Sequence, residues 1–191
     1  MPVRWPFGHG LGYARFIYRD ARLSAPALEE DGTVTVSVGV KNTGEVTGKE
    51  VVQLYINDAT GTPGRPPKEL RHFAKIELQP GEERRVSFTL TRRGLCWYNQ
   101  TIGDWYAAPG RYRVLLGHSS RDIHATLDLE YRTTRPAPLQ VDEDTLIGVL
   151  LKDPRTAPVL RPALEKLGTA AALNGDGGGA VNTEMMMAMF E

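Results

Sequence analysis

The sequence predicts an all-β domain, an antiparallel sandwich of about seven short strands, with a short helical extension behind it. Three observations carry this. "TVTVSVGV" alternates β-branched and small or polar residues with period two, which puts Val34, Val36, Val38 and Val40 on one face of a strand. Glycine, proline and asparagine clusters recur at the spacing of sandwich turns between Phe16 and Arg132. No helical apolar pattern separates the strands there, which excludes the alternation of a parallel α/β fold.

The first strand is expected near Phe16 to Leu23 and the second over the valine run. "KNTGEVTGK" follows as a turn region, with Asn42, Gly44 and Gly48 as turn formers, and "EVVQLYIND" resumes a strand. "ATGTPGRPPKEL" must be a loop, because Pro63, Pro66 and Pro67 cannot serve a paired strand. "RHFAKIEL", "QPGEE" and "RRVSFTLT" read as a hairpin around Pro80-Gly81. After a polar and aromatic stretch, "GRYRVLLGHSS" and "IHATLDLEYR" supply the last two strands.

Beyond "TTRPAPLQ" the character changes. Leu146, Val149 and Leu150 fall at helical spacing before Pro154. Leu160, Leu164 and Leu167 line a second short helix stopped by Gly168, with Pro162 expected in its first turn. "NGDGGGAVN" reads as a flexible tether, and "TEMMMAMFE" as the start of an apolar helix or a tail packing back on its own domain. The expected organisation is a docking segment at 1–14, the sandwich at 15–133, a helical extension at 134–168, and a tether with a Met-rich tail at 169–191.

At 191 residues the chain is long enough for a real core, and its 23 basic and 23 acidic residues balance. That balance, with arginines scattered at 15, 19, 22, 92, 93 and 121, argues against nucleic acid as a partner. No apolar run approaches the roughly 20 residues of a membrane span. The N-terminus lacks the order of a secretion signal, so the cytoplasm is favoured over export. Cys96 has no partner for an internal disulfide, and its neighbours Leu95 and Trp97 suggest an inert buried thiol.

Catalytic motifs are sparse. His9, His72, His118 and His124 form no zinc-ligand pattern, although a pair from His118 and His124 on adjacent strands is conceivable; no metal and no cofactor are expected. "GHSSRD" gathers Ser, His and Asp, but a triad needs a nucleophile on a strained turn and a base from elsewhere, so a strand-to-strand turn is the simpler reading. Asp104 beside Trp105 suggests one carboxylate of a glycosidase pair without an evident second. No catalytic residue is therefore assigned.

"WPFGHGLGYARF" is another matter: Trp5, Phe7 and Tyr13 stand among glycines, as in a segment that docks on something. Together with "NTGEVTGKEVVQLYIND", "PPKELRHFAKIELQPGEERRVSFTL" and "WYAAPGRYRVLLGHSSRDI", it strongly resembles the C-terminal fibronectin type III-like domain of glycoside hydrolase family 3, the β-glucosidases and β-xylosidases. The resemblance spans about Pro6 to Leu129, four motifs in the family's order, and departs from it where Gly12 and Ala14 stand in place of Ser and Thr. Because the chain opens inside the first motif, it is expected to be a fragment.

The resemblance implies an immunoglobulin- or fibronectin III-like sandwich. It also implies that the nucleophilic aspartate and the acid/base glutamate lie in a (β/α)₈ barrel and an α/β domain outside this chain. Those domains are the expected partners, met by Trp5, Phe7, His9 and Tyr13; the competing reading folds these rings back onto the sandwich. Self-association through the C-terminal tail is a further expectation. The expected function is that of a non-catalytic accessory domain of a β-glycosidase. Two alternatives stay open: a carbohydrate- or polymer-binding module stacking sugars on Trp97 and Trp105, with Tyr98 and Tyr106 beside them, and an independent adhesion module.

Overall fold

Val34, Val36, Val38 and Val40 are each at most 1% exposed, and they anchor the core from one strand. The computed structural model describes residues 3–62, 64–100, 102–135 and 145–166, with residues 165 and 166 by backbone alone. The tether, the Met-rich tail, Leu167 and Gly168 lie outside the described residues.

Among the described residues ten strands form: β1 Phe16–Leu23, β2 Ala27–Glu29, β3 Val34–Asn42, β4 Gly48–Asp58, β5 Glu69–Leu78, β6 Glu83–Leu90, β7 Trp97–Asn99, β8 Asp104–Tyr106, β9 Gly110–Gly117 and β10 Ile123–Arg132. A single helical turn, α1 Arg92–Leu95, precedes β7. One sheet runs β1-β3-β6 and another β2-β10-β9-β4-β5, while β7 and β8 pair with each other. Seven of these are the strands expected from the sequence; β2, β7 and β8 are short additions of three residues each.

The expected hairpin about Pro80-Gly81 does not form. β5 pairs with β4 and β6 with β3, so this turn carries the chain from one sheet to the other. Asn42 explains how. Fully buried at the end of β3, it donates from Nδ2 to the carbonyls of Val46 (2.8 Å) and Leu78 (3.0 Å) and accepts from the Gly44 amide (2.9 Å). Its backbone closes the second crossing as well, through the Glu82 carbonyl and the Gly81 amide. One side chain thus ties both crossovers between sheets together.

Between the sheets, Val52, Leu54, Ile56, Leu78, Leu90, Val114, Leu116 and Leu129 join the valines, each side chain contributing about 1.5–3 kcal/mol by burial. Tyr112 is buried to the ring oxygen and donates to the Ala108 carbonyl at 2.7 Å, a corner bond at the start of β9. Burial raises its phenol far above the ordinary range. Cys96 is buried and unpaired, and burial raises its thiol too, despite the arginines around it.

The proline-bearing loop after β4 is held by charge as well as by shape. Arg65, 5% exposed, lies 3.7 Å from Asp58 and 2.8 Å from Glu69, and donates to the Leu95 carbonyl. Arg71 donates to the Cys96 carbonyl and pairs with Glu69, while Asn57 donates to the Pro67 carbonyl. These bonds fasten the loop to β5 and to the α1–β7 connection.

A second compact unit begins after position 138. It contains α2 Ile147–Lys152 and α3 Ala157–Lys166, joined by a turn that Asp153 caps toward Arg155. Pro162 sits mid-helix in α3 and not in its first turn as expected. No helix among the described residues is long and apolar enough to cross a membrane.

Candidate docking site

Residues 3–15 run along the sandwich, held by their backbone. The Phe7 carbonyl accepts from the Ser120 amide (2.9 Å), the Gly8 carbonyl from Gln53 Nε2 (3.1 Å), and the Arg15 carbonyl from the Thr43 amide (2.7 Å). Arg121 reaches the Val3 carbonyl at 3.4 Å, and His118 Nε2 lies 3.2 Å from the Gly10 carbonyl. Glycine is required at two of the closest approaches. Gly8 has φ +76°, and a Cβ there would overlap the Gln53 amide; a Cβ at Gly48 would overlap Ala14.

Replacing Gly8 with alanine should therefore detach this segment without unfolding the sandwich. The strain and overlap amount to about 1–3 kcal/mol, concentrated on one turn. Trypsin should cleave after Arg15 faster than in the native chain, while the melting transition of the sandwich stays in place.

The large apolar side chains of the segment are left exposed. Trp5 is 61% exposed, Phe7 67%, Leu11 87% and Tyr13 98%. His9 stacks on Trp5 with ring centroids 5.1 Å apart. The rings therefore do not fold back onto the sandwich: its polar groups take the backbone, and the apolar surface is left outward. Leu11 belongs to the same exposed row and was not singled out from the sequence; an isolated leucine between glycines was its only signal.

Beneath the segment lies a polar cluster that the motifs did not reveal. Glu50, 1% exposed, accepts from the Tyr18 hydroxyl (2.7 Å) and faces His118 Nδ1 at 2.8 and 3.0 Å. Its signal was present in the period-two pattern, since Glu50 shares a strand face with Val52, Leu54 and Ile56. Beside it, Gln53 donates to the Gly8 and His118 carbonyls and accepts from the Tyr55 hydroxyl. Burial, with the adjoining Glu50 charge, raises the Tyr18 phenol well beyond its ordinary range. For His118, burial opposes the charged ring, but the bond and charge of Glu50, the Gly10 carbonyl and Asp122 outweigh it and raise its pKa above 6.5.

"GHSSRD" is the β9–β10 turn: the His118 amide donates to the Asp122 carbonyl, and Ser119 Oγ accepts from the amides of Arg121 and Asp122. Ser119 thus serves the turn while His118 faces Glu50. Among the described residues no group of three His, Cys, Asp or Glu side chains is placed to hold a metal.

The other aromatic candidates lie in the β7–β8 hairpin. Trp97 is half-buried, and its buried Nε1 has no hydrogen-bond partner among the described residues. Trp105 is 38% exposed, with the Arg93 guanidinium 3.5 Å above its ring and Tyr98 edge-on at 5.7 Å. Asp104 accepts from the Trp105 amide (2.6 Å).

The sandwich has recognisable relatives. A family model described as a fibronectin type III-like domain matches residues 50–120. The chain is 37% identical over 172 residues to the thermostable β-glucosidase B of Acetivibrio thermocellus, covering 90% of this chain and 23% of that protein. It is 42% identical over 127 residues to the β-glucosidase BoGH3A of Bacteroides ovatus, covering 66% of this chain and 17% of that protein. In three dimensions, the GH3 β-glucosidase of Bifidobacterium adolescentis aligns at 32% identity and a TM-score of 0.70, over 83% of this chain and 23% of that one. The chain carries a fibronectin type III-like domain similar to that of GH3 β-glucosidases. The chain spans less than a quarter of the length of these relatives. A β-glucosidase of Listeria innocua crystallised with glucose aligns in the same way, with a TM-score of 0.62 over 67% of this chain.

Proposed function

We propose that this domain is the non-catalytic accessory part of a family 3 β-glycosidase that hydrolyses O-glycosidic bonds in β-glucosides or β-xylosides, and that it buttresses the catalytic barrel and α/β domains through residues 3–15. The observation that carries this reading is the division within that segment. Its backbone is fixed by at least four bonds to the sandwich, yet Trp5, Phe7, Leu11 and Tyr13 stay exposed. An apolar row held in place and left uncovered fits burial against another domain. Relatives several times longer than this chain supply the room for such a domain.

Sugar stacking is the weaker reading. A platform needs an open ring face, and Arg93 covers one face of Trp105 while Trp97 is half-buried.

The test is an activity assay on aryl β-glucoside and β-xyloside. The chain alone should match the rate without protein, and adding it to the parent enzyme truncated of this domain should restore activity or thermal resistance. Turnover by the chain alone would overturn the reading, with Asp104 the first residue to replace.

A further inference from the structure

The contacts of His118 leave little freedom in its protonation. Nε2 faces the Gly10 carbonyl, which can only accept, so that nitrogen carries a proton. Nδ1 faces both oxygens of Glu50, which also accepts from Tyr18. An uncharged ring has one N–H and cannot satisfy both acceptors, whereas an imidazolium can.

We propose that His118 is a proton-operated clasp for residues 3–15: charged, it bridges buried Glu50 to the Gly10 carbonyl and fixes the exposed aromatic row; neutral, it gives up one bond and the segment loosens. The clasp stands on the geometry of this chain alone. Its consequence for docking rests on the function proposed above.

Other charged groups nearby leave this assignment intact. Glu50 faces the ring from β4, Tyr18 lies across Glu50 from β1, and Asp122 stands in the same turn as His118. His124 of β10 stacks on Tyr18 at 4.5 Å and lies 3.4 Å from Asp122. Two cations serve backbone carbonyls at this turn, Arg121 at Val3 and Lys68 at Ser120, and the nearby His9 ring is stacked on Trp5. The raised His118 value sets the sign. The clasp is fully closed below the ordinary value of about 6.5 and opens as the pH rises through the higher folded value.

The experiment is an NMR titration of the full chain from acid to alkaline pH, following the His118 ring and the amides of Gly8, Gly10 and Gly12. The expected result is a His118 midpoint above about 6.5, with the three glycine amides shifting at that same midpoint. In His118→Gln the common titration of the glycines should vanish, and in Glu50→Gln the His118 midpoint should fall. A His118 midpoint at or below the ordinary value, or glycine amides that stay still while His118 titrates, would overturn the clasp. If Glu50→Gln does not fold, the native titration and His118→Gln still decide. No catalytic domain is present in this titration, so failure of docking leaves its outcome untouched.

Discussion

The Asn42→Ala chain should unfold about 3 kcal/mol more readily than the native one, a fall of roughly 10 °C in melting temperature. The size follows from what the side chain serves. Removing it strands the Leu78 carbonyl, leaves the Val46 carbonyl and Gly44 amide without their partner, and opens a hole at a fully buried site. Each buried polar group left without a partner costs about 1–3 kcal/mol, and solvent can reach only the outer ones. Thr43→Ala next door loses one exposed bond from its hydroxyl and should shift melting little. Calorimetry on the two variants checks this, and near-equal melting temperatures would show that Asn42 does not tie the crossovers.

The second large effect falls on association. Changing Trp5 and Phe7 together to alanine should weaken binding to the catalytic domains by about two to three orders of magnitude, because anchoring aromatics commonly contribute 2 kcal/mol or more each. The sandwich itself should melt as before, since both rings lie in the exposed row outside the core. That separation identifies the effect as loss of an interface. Titration calorimetry against the truncated parent enzyme supplies the affinity, and an unchanged affinity would remove the segment from the interface.

Strand content was legible because the chemistry is local. Val34 to Val40 and the alternation in "RRVSFTLT" set which residues face inward whatever the partners of those strands. Pairing was not legible. Pro80-Gly81 carries the turn chemistry of a hairpin and of a crossover alike; what separates them is Asn42, whose bond to Leu78 spans 36 residues. Pro162 could not be placed because helix ends depend on packing that the pattern omits.

For the site, the exposed rings were legible in their company of glycines and their anchoring was not. The bonds that hold residues 3–15 come from Thr43, Gln53, His118, Ser120 and Arg121, between 28 and 118 positions away. Glu50 was within reach, since a carboxylate on the apolar face of a strand requires a partner. Which partner, Tyr18 or His118, only the three-dimensional pairing of β1, β4 and β9 decides.

The most direct test of the docking account is hydrogen exchange on the native chain with and without the catalytic domains of its parent enzyme. Added in excess, those domains should protect the amides of residues 3–15 while the β7–β8 hairpin exchanges as before. Binding that leaves residues 3–15 unprotected and protects the hairpin instead would contradict the account, and would put the interface at Trp105.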